Sequence, residues 1–121
     1  MTATDRAIEL ARAAASAAAD KIATDIIALD VSEHLVITDA FVVASAPNDR
    51  QVRAIVEEIE DRLQKLGAKP IRREGLREGR WVLIDFGDVV VHVFADETRR
   101  FYNIERLYSD VPVLDWHPDP A

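Results

Sequence analysis

The sequence predicts an α/β domain with a mixed sheet of about five strands flanked by helices. Three observations carry that prediction: the order helix, two strands, helix, three strands, helix; a pair of Val- and Ile-rich runs separated by Gly87-Asp88; and a long amphipathic stripe between Val52 and Leu66. A chain of 121 residues is one domain, able to bury roughly two-thirds of its unfolded surface. The expected division is a folded unit over 1–110 and a Pro-rich C-terminal tail over 111–121, marked by Pro112, Pro118 and Pro120.

The first element is an Ala-rich helix from Thr4 to about Ala23. Ile8, Ala11, Ala15, Ala18 and Ile22 recur at helical spacing, a shallow stripe whose small residues let the helix lie close to a sheet. Asp25 to Val31 and Phe41 to Ala46 read as strands, joined by the polar Ser32-Glu33-His34 and the short Leu35-Val36-Ile37. Asn48 caps the second helix, with Gln51 three residues later as in a capping box. Its apolar stripe is Val52, Ile55, Val56, Ile59, Leu63 and Leu66, opposite Arg53, Glu57, Glu60 and Asp61; Gly67 ends it and Pro70 prevents continuation. Ile71-Arg72-Arg73-Glu74 is a short strand near a sheet edge, and Gly75 and Gly79 bracket a loop. After the hairpin, Asp96 and Glu97 start a third helix, which Phe101, Ile104, Leu107 and Tyr108 carry to about Ser109. Trp116 either docks on the body or stays exposed.

Composition excludes several classes. There is no Cys, hence no disulfide, thiol nucleophile or Cys-ligated zinc, as suits a reducing cytoplasm. No apolar run reaches the length of about 18 residues that a membrane span needs, and the first residues lack a basic region followed by an apolar one, so the chain reads as soluble and unprocessed. Asp and Glu number 22 against 15 Lys and Arg, a balance that opposes nucleic acid and favours a basic partner. Arg72-Arg73, Arg77 to Arg80 and Arg99-Arg100 are interrupted or flanked by acids and read as solvated faces or ion pairs.

Catalytic signatures are missing. Asp85-Phe86-Gly87 spells a kinase metal-binding triplet, but no glycine-rich loop, strand lysine or His-Arg-Asp accompanies it. Asp30, Asp39, Asp85 and Asp88 are the carboxylates a two-metal phosphoryl-transfer site would need, yet neither a Gly-Ser loop nor an Asp-x-Asp strand is present. The alternative reading is a nucleotide-transferring enzyme with a degenerate carboxylate site. His34, His92 and His117 have no ligand-like spacing, so no metal is expected, and no serine sits in a nucleophile elbow.

The hairpin Trp81 to Phe94 carries the strongest hint of function. Alternation puts Trp81, Leu83 and Asp85 on one face and Val82, Ile84 and Phe86 on the core face, while the return strand is apolar on both sides. A Trp beside a Leu and a carboxylate has the composition of a protein-binding anchor; the competing reading is that a helix covers Trp81 and makes it core.

The chain resembles the ribosomal silencing factor (RsfS, Iojap-like) family. The resemblance runs from about Ala7 to Asp110 and rests on Asp25 to Val31, Ile37-Thr38-Asp39-x-Phe41 to Ser45, Arg50-Gln51-Val52-x-Ala54-Ile55, Glu74-Gly75, Trp81 to Phe94 and Arg99 to Leu107. It implies a fold like that of nucleotidyltransferases without their catalytic motif, no cofactor and no enzymatic activity. It further implies a translational repressor in the cytoplasm that binds the large ribosomal subunit through its ribosomal protein fourteen, makes little direct RNA contact and blocks joining of the small subunit. Free members of such a family are homodimers. On this reading Trp81, Leu83 and Asp85 form one contact row, with Asp88, Tyr102, Glu105 and Tyr108 behind them. Asp30, Thr38 and Asp39 fix a turn between strands, and Arg50 and Gln51 serve the helix start.

Overall fold

In the computed structural model, which describes residues 2–116, nine elements follow one another. They are helix α1 (Asp5–Asp20), strands β1 (Thr24–Asp30) and β2 (Ala40–Ala46), helix α2 (Asp49–Lys65), strands β3 (Arg72–Glu74), β4 (Trp81–Asp85) and β5 (Val89–Ala95), helix α3 (Asp96–Tyr102) and a 3-10 turn (Ile104–Tyr108). The strands form one mixed sheet in the order β1-β2-β5-β4-β3, parallel only between β2 and β5. The expected α/β class and strand number are met.

One face of the sheet takes α1 and α2. Ala7, Ala11, Ala14, Ala15 and Ala18 of α1 are fully buried against a layer that includes Ala40, Val42, Ala44 and Ala46 of β2, so alanine meets alanine and the helix lies close. Val52, Ile55, Val56, Ile59 and Leu63 bring α2 onto the same layer beside Val82, Ile84, Val91 and Val93. Asn48 caps α2, its side chain accepting from the Gln51 N–H at 2.9 Å. Gln51 does not complete a capping box; it donates to the Lys21 carbonyl and ties α2 to the end of α1.

Two expectations need correction. The first helix ends at Asp20, and Ile22, counted in its stripe, has φ 60° and is 76% exposed. Once the chain leaves helical geometry the spacing no longer predicts a face. The third helix is not continuous: Asn103 adopts the left-handed conformation, which asparagine tolerates better than most residues, and the chain re-enters as a 3-10 turn. That break rephases the residues after it against those of α3, and both Phe101 and Leu107 are exposed. The start of the Pro-rich tail lies against the sheet: Val111 is buried, Val113 bridges to Leu29, Asp30 N–H donates to Pro112 O and Leu114 N–H to Ala28 O. These contacts cover the outer edge of β1, and Trp116 packs half-buried on the helix-side core. Met1, His117, Pro118 and Pro120 lie outside the described residues.

Candidate functional site

The other face of the sheet is aromatic and only partly covered. Strand register places Trp81 opposite Phe94, Leu83 opposite His92 and Asp85 opposite Val90, and all six side chains share this face. Gly87, at φ 92°, makes the turn between the two strands, and Phe86 N–H closes it on Val89 O. Trp81 stacks on Phe94 with centroids 4.9 Å apart, and Tyr102 of α3 meets it in a tilted contact, also at 4.9 Å. Phe41 packs edge-on against His92 at 4.9 Å and against Tyr108 at 5.1 Å.

His92 is the single buried imidazole among the described residues, 5% exposed. Trp81 Nε1–H donates to its Nδ1 at 3.1 Å. The indole nitrogen can only donate, so the imidazole is neutral with its proton on Nε2. Burial pushes the His92 pKa down to about 4, because a charged ring would be stripped of water. Its Nε2 has no hydrogen-bond partner among the described residues. His92 therefore orients the indole by one directed bond within a layer of ring contacts.

Beside Trp81 lies a groove of about 490 Å³ between the loop at 75–80 and α3. Its lining includes Glu78, Arg80, Trp81, Glu97, Phe101 and Tyr102. Glu97 and Phe101 stand one helical turn apart on α3, which puts both on the groove side. Phe101 is 80% and Tyr102 53% exposed, so these rings meet solvent where the rings of β5 do not. The opposite wall is held firmly. Arg53 of α2 donates from Nε to Leu76 O at 3.1 Å, from Nη2 to Arg77 O at 2.5 Å and from Nη1 to Asp49 Oδ2 at 2.7 Å. The same guanidinium, by its hydrogen bond, holds the Asp49 carboxyl below its ordinary range. Gly75 is required where it stands: a Cβ there would lie 2.0 Å from Trp81 O.

The seven side chains expected to make contacts do not form one patch. Trp81 and Tyr102 touch each other at the groove. Leu83 is half-buried and packs toward Phe41 and Val90 in the second core cluster. Asp85 spends one oxygen on the Gly87 N–H at 2.8 Å, and Asp88 is exposed at the turn. Glu105 pairs with Arg99 at 2.7 Å, leaving its Oε1 buried and unpartnered, while Tyr108 covers Phe41. Phe101, Glu78 and Arg53 were not expected here, and the exposure of Phe101 was masked by its fit to a continuous helix.

Three of the four carboxylates considered for phosphoryl transfer, Asp30, Asp39 and Asp85, hold backbone amides instead. Asp30 accepts from Ala3 N–H and from Ser32, and Asp39 from Thr4 N–H. Burial alone would raise the Asp30 pKa, but the hydrogen bonds from Ser32 and Ala3 outweigh it and hold the group below its ordinary range. Among the described residues no group of three acidic or His side chains is placed to hold a metal. The arginine clusters are partly paired, Arg73 with Glu60 at 2.7 Å and Arg72 with Glu74 at 3.8 Å. Among the described residues no helix is long and apolar enough to cross a membrane.

Fold and surface together define a small α/β domain with one sealed aliphatic face and one aromatic face that is open at a groove. Comparison with known proteins gives this class a family. The model described as ribosomal silencing factor during starvation matches residues 4–120, and the chain belongs to that RsfS family. It is 45% identical over 102 residues to the ribosomal silencing factor RsfS of Bacillus subtilis, covering 84% of this chain and 86% of the relative. It is 35% identical over 101 residues to the chloroplastic protein Iojap of Zea mays, covering 84% of this chain but 44% of that longer protein. Solved structures agree: a protein from Chromobacterium violaceum superposes with a TM-score of 0.81 at 37% identity, over 84% of each chain. One from Bacillus halodurans gives 0.77 at 38% identity, over 88% of this chain and 97% of the other.

Proposed function

We propose that this chain represses translation by occupying the large ribosomal subunit, through its ribosomal protein fourteen, and sterically blocking the small subunit. The unit over 1–110 carries the contact surface, with 111–121 as a tail whose start, Pro112 to Leu114, lies along β1. The observation that carries the reading is the ring cluster of half-buried Trp81 with exposed Phe101 and Tyr102, on a chain whose formal net charge is −7. Exposed aromatics are the anchors of protein interfaces. Negative charge disfavours RNA and selects a basic protein surface, so direct RNA contact is small. Leu83, Asp85, Asp88, Glu105 and Tyr108 support this surface from the same face or its margins. Free in the cytoplasm, the chain is a homodimer.

Blocking by occupancy needs affinity and slow release, not turnover, so no enzymatic activity and no cofactor are assigned. The likeness to nucleotidyltransferases is one of layout alone. Sedimentation with purified large subunits tests the proposal: the protein co-migrates with them and lowers the yield of joined ribosomes when small subunits are added. Failure to co-migrate overturns it. A thermal shift caused by ATP with magnesium, and abolished in Asp85→Asn, would instead support a nucleotide-handling enzyme.

A further inference from the structure

The groove beside Trp81 has a definite chemistry, and it bears on what a partner must present there. Its apolar surface comes from three rings, Trp81, Phe101 and Tyr102. Its charged lining comes from Glu78, Glu97 and Arg80, two acids against one base. Among the described residues neither Glu78 nor Glu97 has an ion-pair partner, in contrast to Glu60 and Glu105, whose carboxylates are each engaged by an arginine. The indole presented here cannot turn its nitrogen to the groove without giving up the bond to His92, so what it offers a ligand is ring surface. A ring face is electron-rich and attracts cations.

We propose that the groove is a receptor for a cationic side chain, an arginine or lysine of the basic partner, laid against the Trp81 and Tyr102 rings with its charge between Glu78 and Glu97. This rests on the function proposed above and adds the chemical identity of the contact. The fit is that of a long side chain whose alkyl stem packs on rings while its head meets carboxylates. Both walls are set before the ligand arrives. Arg53 holds the carbonyls of Leu76 and Arg77 on one side, and the Trp81–Tyr102 contact fixes the other, so little ordering is needed on binding. Arg80 is the built-in opponent: it lowers affinity for a cation and makes the site selective for a strongly basic surface.

Two measurements test this. First, the Trp81 indole signal in an NMR spectrum of the Trp116→Phe protein is followed while N-acetylarginine methylamide or its apolar counterpart N-acetylnorleucine methylamide is added. The arginine derivative shifts it saturably, the norleucine derivative far less, and added salt weakens only the former. Equal responses, or none to arginine, overturn the proposal. Second, large-subunit binding is compared in three variants. Glu78→Gln with Glu97→Gln lowers affinity about tenfold, Arg80→Gln raises it a few-fold, and the surface control Glu57→Gln changes nothing, as expected for partly exposed ion pairs. If Trp81→Ala abolishes binding while the double glutamine variant binds like wild type, the cation site is wrong and the docking surface stands. If wild type does not bind large subunits, the functional reading fails, and the arginine titration alone decides whether the groove takes cations.

Discussion

The two faces of the sheet are filled by different chemistry, and the difference separates stability from recognition. The helix side is aliphatic and closed: α1 and α2 seal a layer of Ala, Val, Ile and Leu in which most members are wholly buried. The opposite side is built from Phe41, Trp81, His92, Phe94, Tyr102 and Tyr108, linked ring to ring and sealed only toward β1. Aliphatic side chains repay close packing, whereas rings keep a usable surface even when one side is buried. Damage to the first face therefore costs folding, and damage to the open end of the second costs binding.

The largest expected effect lies on the closed face. Ile59→Ala, which truncates a fully buried side chain of α2, lowers unfolding free energy by about 2–5 kcal/mol in urea titrations while leaving large-subunit affinity unchanged for the folded fraction. Equal losses in affinity would show that the faces are not independent. Next comes His92, on the aromatic face. Its pKa of about 4 when folded, against 6.5 ordinarily, means that the unfolded chain takes up a proton first as the solution is acidified. This contribution is fully present above about pH 6.5 and is lost as pH falls toward 4, by about 3 kcal/mol in all. Urea midpoints measured between pH 7 and 4 follow that slope in wild type, and His92→Phe flattens it.

A smaller change is expected from Trp81→Ala, which weakens large-subunit binding by about 2 kcal/mol or more in a sedimentation titration. If the melting temperature falls instead and binding persists, Trp81 belongs with the closed face. Phe101→Ser is the mildest in stability, within about 0.5 kcal/mol of wild type because the ring is exposed, yet it weakens binding measurably. A silent Phe101→Ser would confine recognition to Trp81 and Tyr102.

The closed face was readable from the residues alone. Helical spacing in α2, the Asn48 cap, the small residues of α1 and the two-residue alternation around Gly87 are local patterns, and packing obeyed them. The open face was half readable: alternation put Trp81, Leu83 and Asp85 on one side, but not which of them borders a cavity. What escaped depends on single backbone angles or on distant partners. The left-handed Asn103 separates Phe101 from the residues that follow it, the left-handed Ile22 ends the stripe of α1, and Arg53 fastens a loop more than twenty residues downstream. No local period encodes such events. The bond between Trp81 and His92 joins neighbouring strands and could have been anticipated from the hairpin register, since a lone His amid valines needs a polar partner.

Asp30 sits where the chain's first and last described stretches meet: its carboxylate takes the Ala3 amide, and its own amide reaches the Pro112 carbonyl. Order along the polypeptide is thus decoupled from order in space at this corner. A circular permutant, closed by a short glycine linker across that corner and reopened at Lys69-Pro70, keeps the strand order β1-β2-β5-β4-β3. The architecture belongs to the ring of contacts rather than to any particular starting residue.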